Sequence, residues 1–132
     1  NGRACRMLHH QHIVIRAYVN KPPMGVEEIT VWLKDLIQAI DMKILSGPHA
    51  VYLDKAGNRG LTAVTVIETS HIAIHVWDEG TPGLIQLDVY SCKEFNPEVV
   101  FGKFAQFEPV STEWFMLDRT DKLSITDEIQ AK

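Results

Sequence analysis

Cysteine is scarce in this chain of 132 residues: only Cys5 and Cys92 occur. Two thiols make no disulfide framework, so the fold has to rest on an apolar core, and a reducing, cytoplasmic setting is expected. An excess of positive charge is missing as well. Thirteen Lys and Arg against seventeen Asp and Glu leave a net charge of −4, which argues against the basic face of a nonspecific nucleic-acid binder. No apolar run approaches the roughly 20 residues of a membrane helix, and nothing at the start reads as a signal peptide. Linkers, repeats and low-complexity segments are absent too. A single domain over 1–132 is the expectation, and the 45% hydrophobic content is enough for one core.

What is there is mostly strand. Across Leu8 to Val19, Ile13, Ile15, Ala17 and Val19 alternate with His12, Val14, Arg16 and Tyr18, the period of a half-buried strand. Asn20-Lys21-Pro22-Pro23 stops it. From Met24 to Met42 the spacing of Val26, Ile29, Leu33, Leu36, Ile37 and Ile40 predicts a helix, with Glu27 and Glu28 favouring its first turn. Ser46-Gly47-Pro48 reads as a break. Strands are then expected over 49–54, 61–67, 72–77, 84–90 and 112–117. A second helix opens with Asn96-Pro97 and runs to Phe107, and the polar stretch from Asp118 reads as a frayed or short helical tail. The sum is α+β: a two-layer sandwich of an antiparallel sheet with two helices on one face.

Several residues invite chemistry. His9, His10 and His12 suggest a metal, but no adjacent cysteine or carboxylate completes a ligand set, and none is expected to bind there. Gly57-Asn58-Arg59-Gly60 lacks the lysine and helix of a phosphate loop and reads as a tight turn. Ser70, His75 and Cys92 taken singly are a turn serine, a core histidine and a small buried thiol. Taken together they are a hydroxyl nucleophile at a break between two strands, a histidine five residues on, and a cysteine closing the next strand. A chain so arranged can cut itself at Ser70 and use the new end as a cofactor.

The run Glu68-Thr69-Ser70-His71, His75, Trp77-Asp78-Glu79 and Asp88-Val89-Tyr90-Ser91-Cys92 resembles the small prokaryotic S-adenosylmethionine decarboxylases. The order of the flanking strands and helices is similar along most of the chain. The resemblance implies self-cleavage between Thr69 and Ser70, giving chains 1–69 and 70–132, with a pyruvoyl group generated from Ser70. That ketone is the electron sink that forms a Schiff base with the substrate amine. It further implies Thr62 and His75 as processing residues and Cys92 as the proton donor of turnover. Glu68, Tyr52, Trp77 and Glu79 are the substrate-side candidates, and the substrate is S-adenosylmethionine on the way to spermidine. A homodimer is implied, with no nucleic-acid or membrane partner. Thr69 stands where the family usually has glutamate, Thr62 keeps a hydroxyl where serine is common, and Ala56 falls where an aromatic often holds adenine. Two alternatives stay open: a pyruvoyl-dependent decarboxylase of ornithine or arginine, and a family member that does not cleave and serves as a binding or partner subunit.

Overall fold

The computed structural model describes residues 9–129. Seven strands form one antiparallel sheet: β1 (Gln11–Val19), β2 (Ile44–Leu53), β3 (Gly60–Ile67), β4 (Ser70–Trp77), β5 (Gly83–Ser91), β6 (Pro109–Asp118) and β7 (Ser124–Ile129). Their spatial order is β2-β3-β4-β5-β1-β6-β7. Two helices, α1 (Val26–Ala39) and α2 (Pro97–Phe104), the latter extended by a 3₁₀ turn over Ala105–Phe107, join the sheet in a single core. The expected α+β sandwich is the one observed.

Side-chain parity builds the two layers. Ile13, Ile15, Ala17 and Val19 of β1 share their buried face with Ile72, Ile74 and Val76 of β4 and Ile85, Leu87 and Val89 of β5. Against that face α1 lays Ile29, Leu33, Leu36 and Ile37 at helical spacing, together with Trp32. The Trp32 indole N–H donates to the Lys103 carbonyl at 3.0 Å and ties α1 to α2. Asn96 caps α2 by accepting from the Glu98 N–H at 3.0 Å, and Pro97 follows at the first helical position, where its missing donor costs nothing. No helix among the described residues is long and apolar enough to cross a membrane.

Two expectations are corrected. The strand expected from His49 begins at Ile44, because Ser46-Gly47-Pro48 is absorbed by register shifts against β3 and does not break the chain. Gly47 makes this possible at φ +103, where a Cβ would lie 3.2 Å from the Val64 carbonyl. Within the described residues, the tail after Asp118 is neither frayed nor helical. Ser124–Ile129 pairs with β6, since Ile125 and Thr126 favour extended backbone and β6 offers an unpaired edge. Gly60 opens β3 at φ +151, and a Cβ there would meet the Val76 carbonyl oxygen at 1.7 Å. Only glycine lets β3 and β4 approach this closely.

Candidate active site

Ser70 sits where the two-residue turn Glu68-Thr69 hands β3 over to β4. Its φ is +145, a region that side-chain-bearing residues occupy only under strain. The preceding peptide is held from several sides. The Cys92 N–H donates to the Thr69 carbonyl at 2.8 Å, and the Glu68 N–H donates to the Lys43 carbonyl at 2.8 Å. The Thr69 hydroxyl donates to the Met42 sulfur at 3.1 Å. Ser91, fully buried, is the cross-strand partner of Ser70, so Cys92 follows directly beside the turn. Cys92 is 3% exposed. It is disulfide-bonded, a state in which it carries no thiol proton. Cys5, the other cysteine, lies outside the described residues, as does Leu8 of the first strand candidate.

His75 and Thr62 stand elsewhere. They are cross-strand partners on the helix-free face of the sheet, with Thr62 Oγ1 3.3 Å from His75 Nδ1. When Nδ1–H donates to Thr62, Nε2 is free to take a proton, the arrangement of an oriented base. A cavity of about 370 Å³ opens beside His75 and reaches Arg16, Gln86 and Asp88. Ser70 and His75 lie five residues apart along β4, about 16 Å at the usual rise of a strand. The fold thus brings Ser70 together with Cys92 and Thr62 together with His75, and holds the two pairs apart.

Tyr52, Trp77 and Glu79 fall at the His75 end, in a network that joins two turns. Glu79 accepts from the Gly57 N–H at 3.1 Å and from Arg59 Nη1 at 2.9 Å, and Arg59 Nε donates to Asp54 at 2.6 Å. The backbone donors of Gly57 and Arg59, with the guanidinium behind them, hold the Glu79 carboxyl below its ordinary range. The Trp77 indole donates to Asn58 Oδ1 at 2.8 Å. The Tyr52 hydroxyl donates to Asp78 at 2.9 Å, and that bond raises its pKa. Glu68 alone among the substrate-side candidates lies at the Ser70 end.

A cluster that sequence reading did not assemble occupies the helix-free face next to Ser70. His12 Nε2 lies 2.8 Å from Asp88 Oδ2, and His71 Nε2 lies 3.8 Å from the same oxygen. Arg119 places Nη1 3.1 Å from His12 Nδ1 and its guanidinium 4.0 Å from the Tyr90 ring centre. Donor atoms of His12, His71 and Asp88 come within 4.8 Å of one another, spacing that suits a metal. Arg119 speaks against one. A guanidinium only donates, so His12 Nδ1 accepts and Nε2 carries the hydrogen that goes to Asp88. A cation at Nε2 would displace that hydrogen beside a fixed positive charge.

The S-adenosylmethionine decarboxylase family model matches residues 11–120. The chain belongs to that family. An S-adenosylmethionine decarboxylase proenzyme of Archaeoglobus fulgidus is 28% identical over 122 residues, 86% of this chain and 99% of the relative. A proenzyme of Pyrobaculum aerophilum is 38% identical over 63 residues, 46% of this chain and 49% of that one. In fold, the chain is similar to the crystal structure of the adenosylmethionine decarboxylase from Aquifex aeolicus VF5, with a TM-score of 0.60 at 21% identity, covering 93% of this chain and 98% of that one.

The family match takes in β1 to β6 with Ser70, His75, Thr62 and Cys92, while β7 falls beyond it. It also takes in the His12–Asp88–His71 cluster. Period-two parity offered a signal for part of that cluster, since His71, Asp88 and Tyr90 share one face of two hairpin-linked strands. That β1 returns to pair with β5 was not legible, so His12 stayed apart. Burial alone would raise the Asp88 carboxyl. The hydrogen bond from His12 and the nearby His71 and His75 outweigh it, and the pKa lies below its ordinary value. A depressed carboxylate adds stability that is present above its unfolded pKa and lost as pH falls through the folded one. Asp88→Asn is therefore expected to melt lower than the parent at pH 7 by about 1 kcal/mol. The gap narrows as pH falls below the ordinary carboxylate range, in thermal melts run from pH 7 downward.

Proposed function

We propose that the chain is a self-processing decarboxylase of S-adenosylmethionine that uses a pyruvoyl group made from Ser70, its product serving spermidine synthesis. The observation that carries the reading is Ser70 at φ +145, directly after a carbonyl already bonded by the Cys92 N–H, in a chain of this family. The Ser70 hydroxyl attacks the Thr69 carbonyl carbon, and the developing oxyanion keeps the Cys92 N–H as a donor. The backbone passes from amide to ester. Removal of the Ser70 α hydrogen then expels the fragment ending at Thr69 as its carboxylate, and the dehydroalanine left behind, through its imine tautomer, takes up one water and releases ammonia to leave the ketone on residue 70. The residues around position 70 fit such a group: the turn is fixed from two segments, Met42-Lys43 after α1 and Cys92 after β5, and Cys92 is next to the cross-strand partner of Ser70. When formed, the ketone supplies the electron sink that decarboxylation of an amino acid requires. Cys92, reduced, is suited to return a proton to the substrate.

His75 is suited to take the α hydrogen, with Thr62 orienting its ring, but at about 16 Å along the strand it cannot reach Ser70 of its own chain. A second copy resolves this. The helix-free face exposes Val51, Leu53, Val64 and Val66, at 65%, 44%, 42% and 43%, an apolar surface of the kind that two sheets bury face to face. A two-fold pairing of such faces can bring His75 and Thr62 of one protomer to Ser70 of the other. Tyr52 and Trp77, near His75, would travel with them, and aromatic faces hold a sulfonium at about 0.5–2 kcal/mol each.

The test is a mass measurement on purified protein, followed by assay under reductant. Two fragments split at Thr69–Ser70, and carbon dioxide released from carboxyl-labelled S-adenosylmethionine, are expected. An intact chain would leave a binding or partner subunit instead. Processed protein that ignores S-adenosylmethionine and acts on ornithine or arginine would move the substrate.

A further inference from the structure

Met42 joins three segments that otherwise meet only near the cleavage turn. It directly follows Asp41, which turns the chain out of α1 at φ +63. Its N–H donates back to the Ile37 carbonyl at 3.0 Å, and its side chain is 7% exposed. The sulfur accepts from the Thr69 hydroxyl at 3.1 Å and lies 3.7 Å from the hydroxyl of Ser91, the cross-strand partner of Ser70. Lys93, just past β5, is tied to the same corner, its Nζ donating to the Asp41 carbonyl at 3.0 Å and to Asp41 Oδ2 at 3.1 Å. Helix exit, cleavage turn and the end of β5 are thus held at one point.

A thioether is a poor acceptor by itself, so its value here is geometric. The Thr69–Ser70 peptide is gripped at its oxygen by the Cys92 N–H and, through the Thr69 side chain, at the α carbon before it. Two grips on one side of a peptide stop the carbonyl from rotating away from the hydroxyl that attacks it. We infer that Met42 is a positioning residue for self-cleavage, acting through the Thr69 hydroxyl to hold the scissile carbonyl toward Ser70. The inference rests on the self-cleaving reading proposed above.

The experiment follows the first-order appearance of the two fragments from freshly refolded precursor. Met42→Leu keeps the volume and removes the acceptor, Thr69→Val keeps the shape and removes the donor, and Thr69→Ser restores the donor. Each of the first two is expected to slow cleavage about tenfold, a modest share of what positioning can supply. Together they slow it no further than either alone, because they break one contact. Thr69→Ser cuts at the parent rate. Melting temperatures, taken in the uncut Ser70→Ala background, do not track these rates, as they would if the contact only stabilised the fold. Parent-like cleavage in Met42→Leu, or effects that multiply in the double variant, would overturn the inference. Should Met42→Leu fail to fold, equal rates for Thr69→Val and Thr69→Ser would overturn it in its place. A parent protein that never cuts overturns this inference and the self-cleaving reading together, whereas a parent that cuts beside an unaffected Met42→Leu removes only the role of Met42.

Discussion

Ser70→Ala yields a folded chain of full length that contains no ketone and releases no carbon dioxide. The hydroxyl is the only nucleophile the scheme provides at the Thr69 carbonyl, so its loss removes the reaction and not merely part of its rate. The fold should tolerate the change, because the turn is held by the Cys92, Lys43 and Met42 contacts of its neighbours and not by the Ser70 side chain. Alanine keeps the strain of φ +145, whereas glycine relieves it. Ser70→Gly is therefore also uncut, and melts higher than Ser70→Ala by a difference of about 1 kcal/mol. Mass spectrometry and thermal melts of the two variants read both effects. If the parent is cut and Ser70→Ala is cut at the same bond, Ser70 is not the nucleophile.

The fold was largely legible because its signals are local. Alternation in β1 and helical spacing from Ile29 to Ile37 each report burial on one face, and burial is what the core rewards. Val26 was read into that stripe but is 40% exposed, since the helix only begins there. The elements misjudged depend on partners remote in sequence. β7 is polar enough to pass for a tail, and only the free edge of β6 recruits it. The start of β2 looks like a break until β3 supplies the register in which Gly47 can bulge.

The candidate site divides along the same line. Ser70 and Cys92 were legible as a unit because β4 and β5 form a hairpin, which sets Ser70 opposite Ser91 and Cys92 beside the turn. Thr62 and His75 were legible as a pair for the same reason across β3 and β4. What sequence spacing disguised is the separation between the pairs. Five residues on an extended strand are a long step, about twice the roughly 7.5 Å that the same five would rise along a helix. Met42 gave no signal at all, since a methionine after an amphipathic helix reads as ordinary core.

That separation leads to the sharpest test of assembly. Ser70→Ala and His75→Ala, each alone, are expected to give no fragments. Ser70→Ala lacks the nucleophile, and His75→Ala lacks the base for the elimination and stalls at the ester, which hydroxylamine then cleaves. Refolded together in equal amounts, they should recover cleavage in one chain only. In a mixed pair the intact His75 of the Ser70→Ala protomer serves the intact Ser70 of its partner, so the His75→Ala chain is cut and the other stays whole. With random two-fold pairing about half of the His75→Ala chains are cut, and the share rises when Ser70→Ala is in excess. Distinct affinity tags on the two variants make the fragments assignable by mass. No cleavage in the mixture, at any ratio, would mean that base and nucleophile have to meet within one chain. The strand between them would then have to yield, against the ladder that pairs β4 with both β3 and β5 along its length. A His75→Ala chain that cuts itself would remove His75 as the base altogether.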